Sequence, residues 1–151
     1  MVFKGKGNQM MFFTSWLFFA LGSAVFAALT ALFGKIGVES VPSNLATLIR
    51  TVVILGLTVI VVSIKNQWRP LSEISSRGLI FLVVSGIATG FSWLCYYRAL
   101  QLGPASKVIP VDKLSVPLAM ILAFLFLGES ISLKVLLGGL LIVAGSIIIA
   151  I

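Results

Sequence analysis

The sequence has no histidine, and with that absence go the commonest general base near neutral pH, any His-containing zinc site and any Ser-His triad. Carboxylates are almost as scarce, with four against 11 lysines and arginines. Three of them, Glu39, Glu73 and Glu129, stand in the stretches that separate apolar runs. Asp112 is therefore the one carboxylate inside an apolar run, whereas an intramembrane aspartyl protease needs two that share a proton. No GxxxxGK[ST] sequence is present, so there is no phosphate-cradling loop for direct coupling to nucleotide hydrolysis. A single cysteine, Cys95, excludes an intrachain disulfide and reads as a small hydrophobe inside its apolar run. No residue pattern calls for a cofactor or a metal, and enzyme chemistry is not expected.

Apolar surface is what the chain has in excess. Hydrophobic residues make up 60% of it and charged residues 10%, at a mean hydropathy of +1.19, where a soluble globule has roughly 45–50% and 25%. Five apolar stretches, about 12–33, 45–64, 79–101, 105–127 and 133–151, are long enough to cross roughly 30 Å of hydrocarbon. The expectation is an all-α polytopic membrane protein: one membrane domain of five transmembrane helices with short connections. Turn residues punctuate the runs where this requires. Pro42 and Ser43 precede the second, Pro70 stands between the second and third, Gly103 and Pro104 separate the third and fourth, and Gly128 closes the fourth.

The net charge of +7 does not make nucleic acid a partner, because no soluble basic face exists and most charges flank the runs. If the spans alternate, Lys4, Lys6, Lys65, Arg69, Arg77 and Lys134 share one side against Lys35 and Lys107 on the other. The positive-inside rule then places the N-terminus in the cytoplasm, with the chain in a bacterial or archaeal plasma membrane. Trp16 and Trp68 would mark the inner interface, Tyr96 and Tyr97 the outer one. The first run exceeds the usual signal-peptide core of about 7–15 residues, so it is read as a retained span.

The most informative segment is PVDKLSVP at 110–117. Pro110 and Pro117 cannot donate amides to the carbonyls of Ser106 and Lys113, so the fourth helix should kink and leave acceptors free near its middle. Transporters line their cavities with helices broken in this way. A charge at the bilayer centre costs at least roughly 2.5 kcal/mol, which directs Asp112 and Lys113 toward a protein interior or a watery cavity. At about 1.5 Å per residue, Arg50 and Arg98 fall in the same half of the bilayer. Three cations against one anion give a positive field suited to a carboxylate, a phosphate or a zwitterion. Asp112 is the candidate for proton coupling or for a substrate ammonium, with Arg50 as its partner or as an anion contact. Lys113 and Arg98 add to the field, and Trp93 supplies an aromatic wall. Outward snorkelling of Arg50 and Arg98 is the structural alternative. Small residues at Ala20, Ala24 and Ala28, at Gly86 and Gly90, and at Gly138 and Gly145 are expected to pack within the bundle ahead of forming a dimer seam.

The segment SWLCYYRALQLGPASKVIPVDKLSVPLAMILAFLFLGE, from Ser92 to Glu129, resembles the closing helices of an EamA domain of the drug/metabolite transporter superfamily. ALTALFGKIG from Ala28 and SNLATLIRT from Ser43 resemble its earlier parts. The resemblance implies a five-helix unit that most relatives carry twice, as inverted halves around a substrate path, with export of amino acids, metabolites, drugs or nucleotide sugars among their activities. One copy is present here. That implies a half-size secondary transporter or exporter of a small polar or zwitterionic metabolite, embedded in membrane lipid and working as a homodimer or as a heteromer with a similar five-span chain. A parallel homodimer, a heteromeric inverted pair and an antiparallel homodimer all remain open. A non-transporting membrane subunit that stabilises or regulates a partner is the alternative function. Four-span multidrug exporters of the superfamily use a glutamate in their first helix, and the run from Phe12 to Phe33 has no carboxylate, so cation antiport of that type is not expected.

Overall fold

A computed structural model describes the backbone of residues 6–151 and the side chains of residues 16–151. Lys4 and the side chain of Lys6, on which the expected orientation partly rests, lie outside the described residues. The helices are α1 (Lys6–Gly37), α2 (Ser43–Ile64), α3 (Ser76–Leu102), α4 (Ala105–Asp112), α5 (Ser115–Leu122) and α6 (Leu133–Ala150), and a π-helical turn at Ala123–Leu127 extends α5. Helices α4 and α5 with that turn form one span in two halves, so among the described residues five segments are long and apolar enough to cross a membrane. No strand occurs among the described residues. Boundaries move by up to six residues: α1 starts at Lys6 rather than near Phe12, α2 and α3 start two and three residues early, and α1 runs to Gly37 rather than ending near Phe33, which carries Lys35 into its last turn.

Local chemistry explains the ends. Ser75 accepts the Gly78 amide at 3.2 Å and Ser132 accepts the Val135 amide at 3.4 Å, each quieting an orphan donor at a helix start. Gly128 closes the π turn at φ +69°, and the next amide, Glu129, reaches back to the Ala123 carbonyl at 3.4 Å. Only a residue without Cβ takes that left-handed position without strain.

Most large apolar side chains lie on the outside of the bundle, where lipid tails are as apolar as they are. The core is small and sits at one end. Val38, Tyr97 and Leu100 are buried, with Ala46, Ala105 and Val108 packed against them. Hydrogen bonds concentrate at the same place. Lys35 Nζ donates to the carbonyls of Leu100 at 2.7 Å and Gly103 at 3.0 Å. Gln101 Nε2 donates to those of Val38 at 3.3 Å and Val41 at 3.4 Å. These bonds tie the α1–α2 connection to the α3–α4 turn, so both lie at one end, as alternating spans require. Lys107 Nζ, donating to the Ala150 and Ile151 carbonyls at 3.3 and 3.4 Å, brings the last turn of α6 there too.

Two expectations are corrected. A Cβ built at Gly86, Gly90, Gly138 or Gly145 would meet no neighbour within 4 Å, and Ala20, Ala24 and Ala28 are exposed. These small-residue faces therefore do not pack within the chain. Close packing occurs instead at Gly139, where a Cβ would stand 3.4 Å from Met120, and at Gly34, where it would stand 2.7 Å from the Tyr97 hydroxyl. A membrane helix is apolar on all sides, so spacing alone does not reveal which small residues face inward. Tyr97, expected in the outer aromatic belt, is a core residue at 1% exposure.

Lys35 makes the firmest of these tertiary bonds, since a charged donor contributes about 1.5–3 kcal/mol per hydrogen bond in soluble proteins and less between membrane helices. Lys35→Met is expected to lower the unfolding free energy in a mixed-micelle denaturation by about 1–3 kcal/mol. Lys107→Met, whose amine reaches only an exposed last turn, should lower it by less than about 1 kcal/mol. Equal effects of the two substitutions would contradict this ranking.

Candidate functional site

The site begins where the fourth span breaks. Helix α4 stops at Asp112 and α5 starts at Ser115, and between the two prolines the backbone changes its bonding step. The amides of Lys113, Leu114 and Val116 reach the carbonyls of Pro110, Val111 and Lys113 at 3.1, 3.0 and 3.0 Å. Bonds of the i to i−3 type thus replace the helical ladder over one tight turn. One of the two carbonyls expected to stay free, that of Lys113, is satisfied. Lys113 takes the Val116 amide, and Pro110 additionally accepts the Ser146 hydroxyl from α6 at 2.8 Å. Ser146 is buried, and α6 packs against both halves of the broken span.

A cavity of about 230 Å³ lies at the break. Asp112, Lys113 and Ser115 line it from the fourth span, Ser92, Trp93 and Tyr96 from α3, and Thr30 from α1. Asp112 Oδ2 and Lys113 Nζ are 3.3 Å apart, the one ion pair among the described residues. At 34% and 51% side-chain exposure, this pair holds by roughly 1 kcal/mol or less.

Arg50 does not pair with Asp112. Its guanidinium carbon lies 4.8 Å from the centre of the Trp93 ring and 4.7 Å from that of Tyr97, so aromatic faces take the charge that a carboxylate was expected to take. Its Nη1 is buried without an acceptor, as is the Tyr97 hydroxyl. Trp93 is common to both places, lining the Asp112 cavity and stacking on Arg50. Arg98 stands apart: one position beyond Tyr97, it is turned about 100° away around α3. It is exposed and donates from Nη1 to Gln101 Oε1 at 2.8 Å. It lines an open cavity of about 1080 Å³ with Glu39 and Ser40, and so belongs to the connections rather than to the Asp112 cavity.

The structure therefore brings Asp112, Lys113 and Trp93 together, places Arg50 behind Trp93, and moves Arg98 to the rim. It adds Tyr97, Tyr96, Thr30, Ser92, Ser115 and Ser146. Tyr97 follows Trp93 by four residues and so shares its helix face, but near the end of a span it reads first as a belt aromatic. Hydroxyls such as Thr30 and Ser146 carry no such signal, since single hydroxyls are ordinary in apolar helices.

Residues 14–151 match the family described as EamA-like transporter family. A Sinorhizobium protein named an uncharacterized transporter in the cobO 3' region is 52% identical over 137 residues, which cover 91% of this chain and 97% of that relative. An uncharacterized protein of Methanocaldococcus jannaschii is 28% identical over 128 residues, covering 85% of this chain and 90% of the relative. Both relatives are thus about as long as one five-span unit. No solved structure matches the chain significantly.

Pro117→Ala supplies an i+4 amide that can replace Val116 on the Lys113 carbonyl, so the ladder can close across the break. The variant is expected at normal abundance, with amide exchange at Lys113 and Leu114 slowed by about tenfold or more. Unchanged exchange in a verified Pro117→Ala protein would reduce this proline to a packing detail.

Proposed function

Because the chain belongs to the EamA-like transporter family, we propose that it is a half-size secondary transporter or exporter that moves a small polar or zwitterionic metabolite. The observation that carries this reading is the charged cavity at the broken fourth span of a multi-pass membrane protein. Asp112 accepts either a proton or the ammonium of the substrate. Either event releases Lys113, whose amine is then free for a substrate carboxylate. Trp93 walls the cavity, and Arg50 holds positive charge on the far face of the Trp93 ring. The chain works in the plasma membrane with its N-terminus in the cytoplasm, as its flanking charges favour.

One feature supports an oligomer. The open faces at Gly86, Gly90, Gly138 and Gly145 leave α3 and α6 free to approach another helix closely. A second copy or a similar five-span chain completes the path.

Comparing metabolites inside and outside cells that lack or overproduce the protein identifies the transported compound, and purified protein in liposomes then measures its flux. Asp112→Asn keeps the shape of the side chain but removes its charge and proton site. The variant should insert normally and lose roughly tenfold or more of the flux, because a charge-assisted contact contributes about 1.5–3 kcal/mol. Full flux in Asp112→Asn would end the proposed role. Loss of the protein from the membrane would instead assign Asp112 to holding the bundle, as expected of a non-transporting subunit.

A further inference from the structure

The Asp112 cavity does not use the groove between α1 and α2, where Arg50 has no carboxylate partner. We infer that this groove is a second binding site, for an amphiphile with an oxyanion head and an apolar body. The inference goes beyond the transport reading and does not depend on it. The groove encloses about 560 Å³ and is walled by Phe26, Leu29, Phe33 and Ile49, with Arg50 and Tyr97 as its main polar members. That volume is in the range of ligand pockets, about 300–1,000 Å³. Phe26 and Phe33 are 71% and 64% exposed, so the groove opens on the surface that faces lipid and an apolar body can enter it from the bilayer.

The head group follows from what Arg50 lacks. The one ion pair among the described residues joins Asp112 to Lys113, which leaves the Arg50 charge without a counter-ion. Its Nη1 and the Tyr97 hydroxyl are two buried donors without an acceptor in the chain. The Trp93 and Tyr97 rings, 4.8 and 4.7 Å from the Arg50 guanidinium carbon, offer its charge a π face but no oxyanion acceptor for its fork of N–H groups. Carboxylate and phosphate oxygens match that fork, and a planar guanidinium holds them better than an ammonium does. Arg50 is seven residues past the start of α2 at Ser43, about 10 Å along the helix. A head drawn to that depth brings its tail alongside Phe26 and Phe33. Gly34 makes room for the Tyr97 hydroxyl, since a Cβ there would lie 2.7 Å from it.

The oxyanion has two sources, an anionic phospholipid of the bilayer or a free fatty carboxylate, and brominated probes separate them. The full chain carrying Trp16→Phe and Trp68→Phe, with Trp93 as its remaining tryptophan, is placed in phosphatidylcholine nanodiscs. It is exposed to dibromostearate, or to nanodiscs in which dibromo-phosphatidylglycerol or dibromo-phosphatidylcholine replaces part of the lipid. The expected result is saturable quenching of Trp93 by at least one anionic probe, beyond that by the brominated phosphatidylcholine. Quenching by dibromostearate alone assigns the free carboxylate, and quenching by the phosphatidylglycerol assigns the lipid. Arg50→Gln should weaken the apparent affinity by roughly tenfold or more, and Tyr97→Phe by several-fold. If Arg50→Gln fails to fold, Tyr97→Phe, which keeps the packed ring, decides alone. Quenching no greater than by phosphatidylcholine, as when a second copy fills the groove, overturns the inference. So does equal quenching in the parent protein and both variants.

Discussion

A backbone group inside the hydrocarbon has no water to bond, so a transmembrane helix that breaks must find every lost partner within the protein. The fourth span of this chain meets that constraint between Pro110 and Pro117, and much of the architecture follows from how it does so. The amides of Lys113, Leu114 and Val116 step back to i to i−3 acceptors, and Ser146 bonds the Pro110 carbonyl from α6. Helix α6 must therefore lie along both halves of the break, as it does. With the backbone satisfied, the turn can present Asp112 and Lys113 to a cavity instead of to lipid. The proposed site thus lies where the helix geometry is least regular.

The second organising feature is the separation of charge. Asp112, Lys113, Arg50 and Arg98 enter one half of the bundle, and they are handled in three ways. Asp112 and Lys113 neutralise one another at an exposed contact that is easily exchanged. Arg50 is held by two aromatic faces, and Arg98 retreats to the connections with Gln101. Lys35, by contrast, is structural, because its amine is consumed by two carbonyls that lock the α3–α4 turn.

Much of this was legible in the residues. Five spans follow from apolar run length, the left-handed close at Gly128 from glycine at a helix end, and the break from two prolines flanking charges. The pairing of charges was not legible. Sequence spacing puts Arg50 and Asp112 at one depth, but depth does not fix the rotation of a helix, and rotation gave Arg50 to Trp93 and Tyr97. Nor could small-residue spacing find Gly139 and Gly34 as the packed glycines, since the hydrophobic pattern that orients a soluble helix is missing from one surrounded by lipid. Tyr97 shows the same limit, because an aromatic residue near the end of a span reads as a belt residue whether it points outward or into a core.

The central claim is that the broken fourth span opens its charged turn to water rather than to lipid. A membrane-impermeant thiol reagent tests it in a Cys95→Ser background, applied from both sides to protein in intact bilayers. Ser115→Cys, on the cavity wall beside Asp112, should be labelled, while Ile121→Cys, on the exposed apolar surface of the same span, should not. An unreactive Ser115→Cys in a correctly inserted protein would mean that the turn is sealed in hydrocarbon and would contradict the account.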